Sequence, residues 1–208
     1  GLNDSLLDRL KLNEDRIGGI AKSIQDISSL EDPVGEVLES WTRPNGLEIT
    51  KVRVPFGVVG MIYEARPNVT ADAVALGLKT GNAMVLRGSS TAYHSNLAIL
   101  TVLQQTLCDF GVAPQSFQLL EDTSRGSVEV LVRMKNYLSL VIPRGSASLI
   151  KVVCENATVP TIETGVGNCH IYVDSAAELE VAQRIVINAK VQRPSVCNSA
   201  ETLLVHKD

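Results

Sequence analysis

The sequence lacks a long apolar run, a signal segment and an excess of basic charge. No apolar stretch approaches the roughly 18–20 residues that a membrane-spanning helix requires, and residues 1–10 do not show the basic and then apolar pattern of a signal peptide. The formal net charge of -4 over 208 residues argues against broad binding to nucleic acids or anionic membranes. We therefore expect a cytoplasmic protein with neither a nucleic-acid nor a membrane partner.

Cysteine is scarce, and its spacing favours neither a metal site nor a disulfide framework. The four cysteines are Cys108, Cys154, Cys169 and Cys197. Because they form no Cys-x-x-Cys pair, neither a zinc site nor a secreted disulfide scaffold is indicated, and a reducing compartment fits best. Cys108 and Cys154 fall on apolar helix faces, where we predict small buried side chains, and we expect a structural role for Cys169 at the entry to a strand.

Aromatic residues are also few, at 4% of the chain, whereas 45% of the residues are hydrophobic and 20% are charged. This composition is typical of a globular protein whose core consists of Val, Leu, Ile and Ala. The length suits one α/β domain, alone or with appendages. The chain begins with Gly rather than Met, and its motifs come late, which suggests a piece of a longer protein.

The first 56 residues predict helices followed by a hairpin. Apolar residues recur near helical spacing over residues 4–30 and are interrupted at Gly18 and Gly19, which predicts two helices. The turn signal Pro-Asn-Gly at 44–46 separates two short apolar stretches and predicts a β-hairpin. We assign residues 1–40 to a helical segment and residues 41–56 to the hairpin.

From residue 57 onward, apolar strands alternate with amphipathic helices. Strands are predicted at 57–63, 83–87, 117–121, 138–142, 161–163, 170–173 and 201–205. Helices are predicted at 70–79, 95–110, 127–134, 146–156 and 176–191. This alternation predicts an α/β fold with a Rossmann-like, doubly wound and mainly parallel sheet, covered by helices on both faces.

Ligands of such sheets bind at the carboxyl ends of the strands, so the residues there are candidates for a site. Arg144, Gly145 and Ser146 lie where a predicted strand gives way to a helix. Glycine permits close backbone approach, and the N–H groups and dipole of the helix favour an anionic phosphate. From these three residues alone, a plain turn with Ser146 as the N-cap is the favoured interpretation. No G-x-G-x-x-G fingerprint is present, so a dinucleotide would have to be held in another way.

A second polar group follows the predicted strand at 83–87. Arg87, Gly88, Ser89 and Ser90 combine a guanidinium, a glycine and two hydroxyls, a set suited to a ribose phosphate. No carboxylate stands among them, and since a carboxylate would repel a 2′-phosphate, its absence favours NADP(H) over NAD(H). A polar loop that opens the next helix explains the same residues equally well.

Cys197 follows a long predicted helix and precedes a strand, so we expect it in a turn. A turn can present a thiol, and nearby Arg193 and backbone N–H groups would favour the nucleophilic thiolate. The alternative is a small buried side chain. His170 could be imagined as a base for this cysteine, but a histidine that begins a strand is more often structural.

Seven segments, in order along the chain, match the motifs of one enzyme family. They are residues 54–60 (VPFGVVG), 62–69 (IYEARPNV), 78–83 (LKTGNA), 86–88 (LRG), 142–145 (IPRG), 169–174 (CHIYVD) and 192–198 (QRPSVCN). Together they resemble the γ-glutamyl phosphate reductase family of the aldehyde dehydrogenase superfamily. The resemblance implies an aldehyde dehydrogenase-like cofactor domain, which lacks the usual glycine fingerprint. It also implies an NADP(H)-binding domain over 57–191 and the start of a catalytic domain over 192–208.

The resemblance also assigns roles near the cofactor. Cys197 matches the family's catalytic cysteine, and Arg87 matches the basic residue near the adenosine ribose. Ser90 takes the position that is Glu in many NAD-preferring relatives. Gly145 and Ser146 match the turn that binds the cofactor phosphates.

The remaining assignments concern the substrate and the proton transfers. Asn68 is a candidate oxyanion residue, although the order of its neighbours differs from the superfamily's pattern. Arg66 and Arg193 are candidates for the substrate carboxylate or phosphate, since a planar guanidinium suits both. Glu163 falls where oxidising relatives carry their general base, but its motif reads Glu-Thr-Gly-Val-Gly instead of Glu-Leu-Gly-Gly-Lys.

The resemblance implies NADPH-dependent reduction of L-glutamyl 5-phosphate to L-glutamate 5-semialdehyde and phosphate, through a Cys197 thioester, in proline biosynthesis. It further implies a homo-oligomer at full length. One alternative is an oxidising aldehyde dehydrogenase that uses Glu163 as its base. Another is a cofactor-binding module that is inactive by itself.

Overall fold

A computed structural model describes residues 4–163, 167–194 and 196–207. The chain divides into two compact units, Gly1–Thr164 and Gly165–Asp208. The division into four segments that we drew from the sequence stays a prediction. Within the described residues, no helix combines the length and the apolar character needed to cross a membrane.

Two helices open the first unit, α1 (Asp4–Leu10) and α2 (Glu14–Ser28). The expected number of helices is confirmed, but the expected break at Gly18 and Gly19 is wrong, because α2 runs through both glycines. The N-cap of α2 is Asn13, whose side chain accepts a hydrogen bond from the Arg16 N–H at 3.0 Å. Such an N-cap stabilises a helix by about 1 kcal/mol, which is comparable to the cost of one interior glycine.

The predicted hairpin is confirmed. β1 (Val37–Thr42) pairs antiparallel with β2 (Glu48–Val52). Gly46 has a φ of 84°, a left-handed conformation that glycine adopts without steric cost. Its N–H donates to the Arg43 carbonyl at 2.9 Å and closes the turn.

A four-stranded parallel sheet follows, with each strand connected to the next through a helix. Its elements are β3 (Val58–Tyr63), α3 (Asn68–Lys79), β4 (Ala83–Arg87), α4 (Tyr93–Asp109), β5 (Phe117–Leu119), α5 (Arg125–Leu131), β6 (Leu140–Arg144) and α6 (Ala147–Asn156). The strand order is β5-β4-β3-β6, so the chain winds outward from β3 in both directions. This confirms the predicted α/β, doubly wound, mainly parallel fold. The predicted strand at 161–163 is reduced to a single parallel bridge between Val141 and Thr161.

The core consists of two apolar clusters, one for each face of this sheet. Val59 and Tyr63 of β3 belong to one cluster, and Ile62 of the same strand belongs to the other. β6 divides in the same way, with Leu140 in the first cluster and Val141 in the second. Because side chains alternate along a strand, unbroken apolar strands can fill both faces, as the sequence indicated.

The second unit contains β7 (His170–Val173), α7 (Leu179–Val191) and β8 (Thr202–Val205). β7 and β8 are parallel, from the His170–Thr202 pair to the Val173–Val205 pair, and they form a sheet of their own. The helix begins at Leu179 rather than at residue 176.

The prediction that Cys108 is buried is wrong, because its thiol is exposed, and Cys154 is only half-buried. On α4 the buried leucines are Leu100 and Leu107, which lie two helical turns apart on one face. Cys108 is the next residue after Leu107. Since successive helical residues point about 100° apart, it turns away from that face.

Two glycines in helices should respond in opposite directions to alanine. A Cβ added at Gly77 in α3 would lie 2.6 Å from Met84 Cγ and 3.0 Å from Phe117 Cε1, whereas nothing lies within 4 Å of one added at Gly19 in α2. We expect Gly19→Ala to raise the free energy of unfolding by about 0.5–1 kcal/mol. Gly77→Ala should lower it by about 1–3 kcal/mol through overpacking. Urea unfolding of both variants measures this, and a Gly77→Ala variant as stable as Gly19→Ala would contradict the packing described.

Candidate active site

A pocket of about 560 Å³ lies at the carboxyl ends of β3, β4 and β6. It is lined by Arg87, Ser89, Ser90 and Ser146, four of the residues predicted to bind a cofactor. Parallel strands end at the same edge of a sheet, so three separate parts of the sequence meet there. The volume is within the range of small-molecule and cofactor sites.

The turn after β4 is built around glycine and serine. A Cβ at Gly88 would lie 2.2 Å from Asn96 Nδ2 and 3.3 Å from Tyr63 Cζ, so only glycine fits there. Ser89 accepts a hydrogen bond from the Thr91 N–H at 3.2 Å and caps the short helical turn that precedes α4. Gly88 is thus required for packing. The contact of Ser89 agrees with the alternative interpretation of a polar loop that opens the next helix. Ser90 is exposed and lines the pocket.

Arg87 is only 9% exposed, and its guanidinium faces the segment that precedes α5. Its Nη2 donates to the carbonyls of Thr123 at 2.6 Å and Ser124 at 2.7 Å, and its Nε donates to Ser127 Oγ at 3.2 Å. Burial lowers the pKa of Arg87, and the nearby charge of Asp122 opposes that shift. Arg87 therefore holds one wall of the pocket together while it lines the pocket itself.

Ser146 caps α6, and its hydroxyl accepts a hydrogen bond from the Leu149 N–H at 3.4 Å. The carboxylate of Glu64 lies at the same place. Glu64 Oε2 accepts from the Ser146 N–H at 3.0 Å, and Oε1 accepts from the Ser146 hydroxyl at 2.6 Å. The predicted phosphate turn thus already holds an anion. Arg144 belongs to β6 rather than to this turn, because it pairs with Tyr63 in the parallel ladder.

Sequence reasoning missed Glu64. The available signal was its position, directly after β3 and at the same sheet edge as the predicted phosphate turn. Arg125, which also lines the pocket, was missed as well, because it lies on α5 and not at the end of a strand.

A buried hydroxyl pair lies between β3 and α3. Tyr63 and Thr70 are both fully buried, and their hydroxyl oxygens are 2.7 Å apart. Burial raises the pKa of Tyr63 to about 12, so its phenol is neutral at physiological pH. The pair fixes the start of α3 against β3, at the residue directly before Glu64.

Arg66 and Asn68 follow β3 in the first unit. Asn68 is the first residue of α3 and is exposed, and its amide donates to Asp72 Oδ2 at 3.2 Å. Arg66 is half-buried, and its carbonyl accepts from the Val69 N–H at 3.0 Å. The roles predicted for both side chains stay predictions.

Cys197 lies in a turn between α7 and β8, as predicted, and its side chain is exposed. The Cys169 thiol donates to the Cys197 carbonyl, with 3.5 Å between Sγ and the oxygen. The Cys169 carbonyl in turn accepts from the N–H groups of Glu201 and Thr202 at 2.9 and 3.1 Å. The turn is thus tied to the start of β7, and the alternative of a small buried side chain is wrong for Cys197.

The remaining candidates from the sequence are Arg193, His170 and Glu163. Arg193 is exposed, and its carbonyl accepts from the Val196 N–H at 3.3 Å in the same turn. His170 Nδ1 lies 2.8 Å from the Asn168 carbonyl oxygen, a local contact of the structural kind predicted. Glu163 is exposed, and residues 164–166 of its motif lie outside the described residues. The pKa of the Cys154 thiol is raised, first by burial and second by the nearby carboxylate of Glu163.

Comparison with known proteins identifies the fold and then the family. The chain superposes on the crystal structure of γ-glutamyl phosphate reductase from Thermotoga maritima with a TM-score of 0.89 and 51% identity, covering all of this chain and 50% of that one. For the enzyme from Saccharomyces cerevisiae the TM-score is 0.70 at 36% identity, with 52% of that chain covered. Residues 17–208 match the aldehyde dehydrogenase family. The chain belongs to the aldehyde dehydrogenase family.

Curated sequence relatives are also γ-glutamyl phosphate reductases. The chain is 58% identical, over 207 residues, to a γ-glutamyl phosphate reductase from Anoxybacillus flavithermus, and 59% identical to one from Moorella thermoacetica. In each case the match covers 100% of this chain and 50% of the relative. The chain thus spans about half the length of the curated relatives it matches.

Replacing Arg87 tests how far its guanidinium supports the pocket wall. We expect Arg87→Met to lower the free energy of unfolding by about 2–4 kcal/mol, because two carbonyls and a hydroxyl lose a charged donor. Arg125→Met removes an exposed guanidinium from the same pocket and should change stability by no more than about 0.5 kcal/mol. Urea unfolding without ligand compares the two. If Arg87→Met is as stable as Arg125→Met, the wall does not depend on Arg87.

Proposed function

We propose that this chain carries the cofactor pocket and the catalytic cysteine of an NADPH-dependent γ-glutamyl phosphate reductase. The reaction is reduction of L-glutamyl 5-phosphate to L-glutamate 5-semialdehyde and phosphate, a step of proline biosynthesis. The observation that carries the proposal is the exposed Cys197 in its turn, within a chain 58% identical to a protein of that name. A homo-oligomer at full length and a cytoplasmic location stay predictions.

The pocket at the sheet edge fits a nicotinamide dinucleotide. Its α6 end contacts the Glu64 carboxylate through an N–H and a hydroxyl, and this contact supports an anion site at that end. Arg87, Arg125 and the Ser90 hydroxyl line the same pocket and suit a ribose 2′-phosphate. In the proposed enzyme, Ser146 would hold the cofactor diphosphate, and Ser90 in place of a carboxylate would favour NADP(H) over NAD(H). When bound, the cofactor supplies a hydride.

The first chemical step belongs to Cys197. Its thiolate attacks the acyl carbon of the substrate, a carbon–sulfur bond forms, and a tetrahedral oxyanion results. Backbone N–H groups near Cys197, with the Asn68 amide as the candidate side-chain donor, stabilise that oxyanion. One such donor typically contributes about 3 kcal/mol. The carbon–oxygen bond to phosphate then breaks, which leaves a thioester on Cys197 and releases phosphate.

The second step ends in the aldehyde. The thioester carbon accepts a hydride and becomes a tetrahedral oxyanion at the thiohemiacetal level. As its carbonyl re-forms, the carbon–sulfur bond breaks and releases the aldehyde and the Cys197 thiolate, so no hydrolytic water is needed. Arg66 and Arg193 are the proposed partners of the substrate carboxylate and phosphate, because a guanidinium binds either group through paired N–H donors. Glu163 has no part in this sequence. It would act as the base only in an oxidising enzyme that hydrolyses its thioester.

Removing the thiol tests the proposal. In a protein that carries this chain at the full length of its relatives, Cys197→Ala should reduce phosphate-dependent NADP⁺ reduction with glutamate semialdehyde by at least roughly a thousandfold. Cys108→Ala, which removes another exposed thiol, should leave the rate unchanged. Near-normal turnover of Cys197→Ala would reject the mechanism.

The same assays separate the alternatives. Carboxylate formation without phosphate would support the oxidising enzyme with Glu163 as base. Calorimetry with NADPH on the 208-residue chain, beside an activity assay of the same chain, addresses the cofactor-binding module. Binding without turnover would support that module, and measurable turnover would contradict it.

A further inference from the structure

The carboxylate of Glu64 occupies the end of α6 where the proposed function requires the cofactor diphosphate. We propose that Glu64 is a built-in competitor for that diphosphate, so that this side chain sets the affinity of the pocket for the cofactor. The inference rests on the proposed function, since that function places the diphosphate at Ser146.

The contact uses both carboxylate oxygens. One accepts the Ser146 N–H at 3.0 Å and the other accepts the Ser146 hydroxyl at 2.6 Å. The backbone holds Glu64 in place as well, because its N–H donates to the Arg144 carbonyl at 3.2 Å and continues the pairing of β3 with β6. The side chain is half-buried. Glu64 therefore reaches Ser146 from a fixed position directly after the neighbouring strand β3.

Gly145 leaves room for the contact between Glu64 and Ser146. A Cβ at this residue would lie 2.7 Å from Glu64 Cδ and 2.9 Å from Glu64 Cγ. The space that glycine leaves, which the sequence suggested for close approach of a phosphate, is taken by the glutamate side chain. The site of the predicted phosphate contact and the site of the carboxylate are therefore the same.

A diphosphate and the carboxylate cannot share these donors. The Ser146 N–H and hydroxyl are both engaged by Glu64, and two anions at one helix end would repel each other. Binding at this position therefore requires Glu64 to leave Ser146. The apparent dissociation constant then exceeds the intrinsic one by the inverse of the fraction of molecules in which Glu64 has left.

The test measures binding by calorimetry, with NADPH and with inorganic diphosphate as separate probes. Glu64→Ala removes the competing group, and we expect both probes to bind about tenfold more tightly than to the parent chain. Glu64→Gln keeps the length of the side chain without its charge and should also bind both probes more tightly, by a smaller factor. Glu129→Gln is the matched control, because it removes an exposed carboxylate from the same pocket. It should change the affinity by no more than about twofold.

The outcomes separate this inference from the proposed function. If NADPH binds the parent chain and neither Glu64 variant binds either probe more tightly, or if Glu129→Gln gains as much, the competition is rejected while the proposed function stands. If diphosphate binds the Glu64 variants more tightly but NADPH binds no variant, the cofactor assignment of the proposed function fails, and the claim that Glu64 sets the affinity for the cofactor fails with it. If no variant binds either probe, the competition is rejected. Thermal unfolding checks each variant, and Glu64→Gln decides if Glu64→Ala does not fold.

Discussion

The parallel pairing of β3 with β4 on one side and with β6 on the other is the interaction on which the candidate site depends. The ladders align Ile62 with Arg87 and Tyr63 with Arg144, so the residues that follow the three strands meet at one edge of the sheet. Glu64 faces Ser146 only because β3 and β6 are in this register. A shift by one residue would turn every side chain of the strand to the opposite face. The two apolar clusters, which need opposite faces of β3, resist such a shift.

Two charged side chains of the pocket, Arg87 and Glu64, have hydrogen-bond partners within the protein. The Arg87 guanidinium is engaged with the loop before α5, and the Glu64 carboxylate neutralises the positive end of α6. Unpaired buried polar groups are costly, so these contacts stabilise the pocket in its present form. They also mean that a charged ligand gains only the difference between its own contacts and those it displaces. Affinity in such a pocket is set by exchange between internal and external partners.

The sequence predicts most of the fold because the fold follows from local patterns. Unbroken apolar strands alternating with helices indicate a buried parallel sheet, and the Pro-Asn-Gly turn with Gly46 indicates the hairpin. The errors arise where two local signals compete, as at Asn13, where a capping side chain rather than the nearby glycine pair determines the start of α2. At the site, the turns at Gly88 and Gly145 were found. The sequence did not predict that Gly88 lies against Asn96, 8 positions away, or that Gly145 lies against Glu64, 81 positions away. Contacts over such separations leave no local sequence pattern.

The candidate residues also differ in how much of the chain each role requires. The pocket that contains Arg87, Ser90 and Ser146 is formed entirely by residues of the first unit. The proposed cofactor site therefore involves the first unit alone. Of the residues proposed for the acyl chemistry, Asn68 and Arg66 belong to the first unit, and Cys197 and Arg193 belong to the second. The hydrogen bonds of Cys169 hold the turn in which the Cys197 thiol is exposed, whereas the acyl transfer proposed above also uses the Asn68 amide and the Arg66 guanidinium. Reactivity of the Cys197 thiol can therefore be measured separately from the proposed turnover.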